Sequence, residues 1–166
     1  MKKLILFVLS VALLFSFCSS RKTGNFKLFL TDNPVPHIEH IYITISEISV
    51  KKSGEEAFKI VWQGSKTYDL RQIKDKEQLL ADIKLEEGTY TQIKIVVISA
   101  SIVIDDKTYD VGIPDVEVII PIVFIVKEDG ETAIVLDFDA DQSLAPIIVG
   151  QIYLLKPAIT VKIIRY

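Results

Sequence analysis

The chain has 166 residues, with 19 Lys or Arg against 22 Asp or Glu, a formal charge of -3, 49% hydrophobic residues and one Cys. A chain of this length suits one domain burying about 70% of its unfolded surface, and so high a hydrophobic fraction excludes disorder. The acidic balance excludes a basic nucleic-acid grip, and a single Cys excludes an internal disulfide framework.

Lys2 and Lys3 precede an apolar run over residues 4–17, interrupted only by Ser10 and Ser16. As a helix this run is about 21 Å long, short of the roughly 30 Å hydrocarbon core of a bilayer. It therefore reads as an export signal rather than a stable transmembrane helix. Cys18 falls where the run stops, and Phe15-Ser16-Phe17-Cys18 resembles the end of a bacterial lipoprotein signal, with Phe17 standing where that pattern has a small residue. The resemblance implies that residues 1–17 are removed and that Cys18 is lipidated; residues 18–24, small or polar, then read as a tether. Ordinary cleavage, releasing a secreted protein, is the alternative.

Residues 25–166 then read as one domain of short strands. Phe26, Leu28 and Leu30 begin a strand that Thr31-Asp32-Asn33-Pro34 turns. Ile41, Ile43 and Ile45 alternate with polar residues until the apolar parity switches to Ile48 and Val50, which requires a β-bulge near Ser46 and Glu47. Ser53-Gly54 turns into a strand carrying Phe58, Ile60 and Trp62. The spacing of Ile73, Leu79, Leu80 and Ile83 fits one short helix or a helical loop within residues 72–83. Residues 90–104 form a long Ile- and Val-rich strand turned by Asp105-Asp106. Residues 116–126 follow, with Pro121 marking an edge or a break. Glu128-Asp129-Gly130-Glu131 predicts a hairpin into residues 132–138, and the last two strands are separated by Lys156-Pro157. About nine or ten short strands with closely spaced turns predict an all-β antiparallel sandwich with at most one short helix.

Four stretches in order are Leu30-Thr31-Asp32-Asn33-Pro34, Glu87-Gly88-Thr89-Tyr90-Thr91-Gln92-Ile93-Lys94, Val135-Leu136-Asp137-Phe138-Asp139-Ala140-Asp141-Gln142-Ser143 and Tyr153-Leu154-Leu155-Lys156-Pro157. Together they resemble the bacterial and archaeal envelope family called domain of unknown function 4382. The resemblance implies a secreted, often lipid-anchored, immunoglobulin- or transthyretin-like sandwich and no particular activity. The motif residues also have structural readings. Gly88 suits a tight turn, Tyr90 a tyrosine corner whose hydroxyl bonds turn backbone, and Asp32 a turn acceptor ahead of Pro34.

Three chemical readings are weighed. Asp137, Asp139 and Asp141, at period two, would share a strand face and could hold Ca²⁺; the competing reading is capping of backbone N–H groups at a strand end. Gln142 and Ile148 stand where an EF-hand would need Gly and Glu. His37 and His40 are the only histidines, and with a single Cys in the chain a zinc site would need Asp or Glu to complete it, so they read as surface loop. Trp62, Tyr42, Tyr68, Tyr90 and Tyr109 could build a sugar platform, but such rings more often pack in cores. No nucleophile elbow, Walker loop, dinucleotide fingerprint or zincin motif is present, so no catalytic residue and no cofactor is assigned.

The expectation is a non-enzymatic binding or structural module of the cell envelope. It would be held to a membrane by a lipid on Cys18, at a periplasmic or extracellular face, with an envelope protein or glycan as partner and no nucleic acid. A carbohydrate-binding or carbohydrate-acting accessory protein is the alternative. A weaker third reading is pairing with a partner through the apolar segment 146–155.

Overall fold

The computed structural model describes residues 21–33, 38–73, 76–147 and 152–166. Cys18, Pro34 and His37, and with them the signal and residues 18–20 of the tether, lie outside the described residues, while Thr23 and Gly24, expected in the tether, already belong to the first strand. The described chain is all-β, a sandwich-like pair of sheets.

The first sheet has four strands in the order β11-β8-β1-β4: β1 (Thr23–Asn33), β4 (Gln78–Glu86), β8 (Glu131–Asp139) and β11 (Ile159–Arg165). The second has seven: β2 (His40–Lys52), β3 (Lys59–Asp69), β5 (Gly88–Ile104), β6 (Lys107–Gly112), β7 (Glu117–Val126), β9 (Leu144–Ile147) and β10 (Ile152–Leu155). Strand β5 is long enough to serve two neighbours along one side, β7 at its start and β6 at its end. Between the sheets lies a core of aliphatic side chains, including Leu28, Ile43, Ile95 and Leu136, with Phe26, Phe124 and Phe138. Among the described residues no helix is long and apolar enough to cross a membrane.

The sheets are mixed, not purely antiparallel: β1 runs parallel to β8, and β6 parallel to β10. The first parallel pair is entered through the turn at residues 127–130. Asp129 takes a positive φ of 53° and Gly130 N donates to Lys127 O at 3.1 Å, so the turn forms as anticipated. It joins no hairpin, however. Strand β7 pairs with β5 in one sheet and β8 with β1 in the other, so the turn is a corner between layers. Turn chemistry sets the local reversal but does not say which sheet the next strand joins.

Of the short helix or helical loop anticipated in residues 72–83, only a single 3-10 turn (Leu70–Ile73) forms, and β4 takes most of the rest. The ladder with β1 shifts between Leu28, opposite Ala81, and Phe29, opposite Leu79. Leu80 is therefore the extra residue of a bulge, and Leu80 and Ala81 are both buried. That doubled apolar position broke the two-residue period and imitated helical spacing.

Other expectations match. The ladders of β2 with both neighbours shift between Ile45 and Glu47, and against β5 this makes Ser46 the extra residue of a bulge. Asp105 and Asp106, at φ 49° and 58°, form the two-residue turn between β5 and β6. Pro121 lies in β7, which pairs only with β5 among the described residues. On β3, by contrast, the expected alternation of Phe58, Ile60 and Trp62 fails: a shift leaves Val61 bulged and buried while Ile60 is half exposed and not a core residue. The short helix is α1 (Ala140–Ser143), directly after β8.

Candidate functional site

Three of the four motif stretches meet at one end of the sandwich, where β1 and β8 run out side by side. The register pairs Thr31 with Asp137, Asp32 with Phe138 and Asn33 with Asp139. Asp32 is 1% exposed, and its Oδ1 accepts the N–H of Ala140 at 3.3 Å. Asp139 caps α1: its carboxylate accepts Gln142 N at 3.0 Å and Gln142 Nε2 at 2.8 Å. Ser143, also buried, donates from Oγ to Asp139 O at 2.5 Å and accepts Ala158 N at 2.8 Å. Its carbonyl accepts Lys156 N at 2.9 Å, and Asp139 N donates to Ala158 O at 2.9 Å.

Asp32, Asp139 and Ser143 are thus occupied with backbone groups at a junction of three strands and one helical turn. Lys156 takes part through its main chain, with its side chain exposed. Pro157 sits between Lys156 and Ala158, where a residue without an N–H leaves no donor to satisfy.

The three aspartates do not make a calcium site. Asp139 caps, Asp141 is exposed in the first turn of α1, and Asp137 remains on β8 opposite Thr31. Among the described residues no group of three or more His, Cys, Asp or Glu side chains stands close enough to hold a metal ion. The chain leaves the strand at Ala140, and this ends the two-residue period that the shared-face reading needs. His40 is a strand residue whose Nδ1 lies 2.7 Å from Asp69 Oδ2, with its ring stacked on Tyr42.

The remaining motif lies at the opposite end. Tyr90 is 1% exposed, its hydroxyl donates to Glu86 O at 2.9 Å, and its ring stacks on Phe124 at 5.1 Å; Phe124 stacks in turn on Phe26 of the other sheet at 5.3 Å. This is a tyrosine corner that also begins an aromatic bridge between the layers. Burial, then the nearby carboxylates of Glu86 and Glu55, push the Tyr90 phenol up to about 12. Gly88 takes a φ of 150°, a conformation side-chain-bearing residues rarely adopt.

Beside the corner is an open cleft of about 320 Å³ lined by Arg21, Lys52, Glu55, Phe58, Lys59, Glu86 and Tyr90, among others. Glu86 lies 2.5 Å from Arg21, 3.5 Å from Lys52 and 3.9 Å from Lys59, and the Arg21 hydrogen bond foremost holds its carboxyl below the usual range. The start of the domain is pinned here: Lys22 O accepts Glu87 N, Thr23 O accepts Asp129 N, and Lys22 Nζ reaches Glu128 at 2.8 Å.

Lys94, the last residue of the second motif, was not legible as part of a cluster. Its ammonium lies 3.2 Å from Glu47, 3.4 Å from Glu117 and 5.4 Å above the Phe58 ring. Burial disfavours its charge, but the hydrogen bonds to Glu47 and Glu117 outweigh this and hold its pKa above the ordinary lysine value. Only the register of β2, β5 and β7 brings these three residues together. Of the rings considered for a sugar platform, Tyr68 and Tyr90 are core residues, and Trp62 is partly buried against the core.

These features define an all-β, sandwich-like domain whose most distinctive polar residues close its own backbone. Residues 23–157 match the family described as domain of unknown function (DUF4382), and the chain belongs to that family. No curated protein and no solved structure matches it.

Proposed function

We propose that the protein is a cell-envelope lipoprotein whose sandwich serves as a non-enzymatic binding or structural module, exported by residues 1–17 and anchored through Cys18 at a periplasmic or extracellular face. The observation that carries the non-enzymatic reading is the use of the motif side chains. Asp32, Asp139, Ser143 and Tyr90 all bond backbone groups of neighbouring turns. Catalytic side chains would instead converge on a cleft with a nucleophile beside a base.

The anchor is supported by the paired lysines, the short apolar run and a Cys at its end. A lone thiol in an oxidising compartment is otherwise a reactive liability. Two or more acyl chains, at about 0.8 kcal/mol per buried CH₂, would hold the domain on a membrane without help from its acidic surface. Growth with a labelled fatty acid tests it: wild type carries label and sediments with membranes, and Cys18→Ala does neither. An unlabelled wild type would refute the anchor. The carbohydrate alternative has less support with Tyr68 and Tyr90 in the core; glycan-array binding that is lost in Trp62→Ala would restore it.

A further inference from the structure

Strand β7 alternates cleanly. Ile120, Ile122, Phe124 and Val126 enter the core, while Ile119, Val123 and Ile125 are 49%, 66% and 44% exposed, with Pro121 exposed between them. One exposed aliphatic needs no explanation, but a continuous row along a sheet edge does.

A partner strand is a poor occupant. Val97 N donates to Val116 O at 2.8 Å, and from that bond the antiparallel alternation carries the positions bonded to β5 on to Ile120. Pro121 then has its nitrogen on the free edge. An added strand would find no donor in the middle of the stripe, the usual way an edge is guarded.

The stripe begins where the N-terminal chain leaves the domain. Val126 pairs with Gly88, whose neighbour Glu87 donates to Lys22 O, and a side chain at Gly24 would strike Lys127 O. Between Cys18 and Arg21 the chain spans at most about 11 Å. A lipid on Cys18 therefore keeps this corner within about one Debye length of the headgroups. Arg21 and Lys22 are paired with Glu86 and Glu128, so they add little net charge there.

We propose that the exposed face of β7, from Ile125 through Val123 to Ile119, rests against the lipid surface beside the anchor. This inference depends on the lipid-anchor reading and adds the face that meets the membrane.

The test uses the full chain purified from membranes and reconstituted in phosphatidylcholine–phosphatidylglycerol vesicles. An environment-sensitive fluorophore is placed at Val123→Cys or, at the start of β6 opposite the far end of β5, at Lys107→Cys. Brominated acyl chains should quench the probe at 123 several-fold more than the probe at 107. Equal quenching at both positions, with acylated Cys18 in the same sample, overturns the inference and leaves the anchor standing. Concentration-dependent crosslinking through position 123 without lipid quenching overturns it in favour of a second copy. An unacylated Cys18 removes the anchor and the inference together.

Discussion

The hydroxyl of Tyr90 closes onto the carbonyl of Glu86, 2.9 Å away, from a ring that is 1% exposed and stacked on Phe124. The bond spans only four residues, yet the ring that carries it reaches through Phe124 to Phe26 on the opposite sheet. Tyr90→Phe keeps the stack and loses the bond, and should cost about 1–2 kcal/mol. Tyr90→Ala also opens a cavity and should cost about 3–5 kcal/mol. Urea denaturation midpoints compare the two, and equal costs would mean that the hydroxyl carries the effect alone.

The same residue sets a pH dependence. The folded phenol is raised to about 12 from 10.0, so above pH 10 the unfolded chain releases a proton that the folded chain keeps. Stability from Tyr90 is fully present below pH 10 and is lost as pH rises toward 12. Tyr68, raised by its own burial, acts in the same direction. Stability measured from pH 9 to 12 should fall less steeply in Tyr90→Phe than in wild type.

Ser143 is the residue on which the junction turns. Ser143→Ala removes the acceptor of Ala158 N and the hydroxyl donor to Asp139 O, leaving the partly buried Ala158 N–H unsatisfied. The expected loss is about 2 kcal/mol, with hydrogen-exchange protection falling first at residues 139–144 and 156–159. Uniform loss across the domain would contradict so local a role.

Gly24 and Gly54 separate crowding from conformation. A Cβ on Gly24 would lie 2.2 Å from Lys127 O, a backbone atom, whereas at Gly54, with φ 82°, nothing lies within 4 Å. Gly54→Ala should cost about 1 kcal/mol and Gly24→Ala more, since only a shift of the β7–β8 corner relieves it. Thermal unfolding of both variants checks the order.

Calcium should leave the protein unchanged, because Asp139 spends its carboxylate on Gln142 and Asp141 points away into solvent on α1. Millimolar Ca²⁺ is predicted to give no calorimetric heat and no change in melting temperature.

Much of the fold was legible in the sequence because its signals are local. The parity switch after Ile45 marked the Ser46 bulge, Asp105-Asp106 marked a tight hairpin, and Pro121 marked an edge. The errors have one kind of cause. At Leu80 a second bulge produced helix-like spacing, and at Gly130 a correct turn led into the other sheet; in both cases the partner strand decides. Tyr90 was readable as a donor to the backbone of its own turn, whereas Asp32, expected to accept at the turn before Pro34, accepts from Ala140, far along the chain. Ser143, joined to Ala158 fifteen residues on, and Lys94, joined to Glu47 and Glu117, depend on pairing that no local pattern carries.

The account turns on Cys18, and the mass of the mature N-terminus tests it most directly. Intact-mass and peptide spectrometry of protein extracted from membranes should find a chain beginning at Cys18 and carrying acyl chains on that residue. A chain that retains residues 1–17, or begins beyond Cys18 without lipid, would contradict the account.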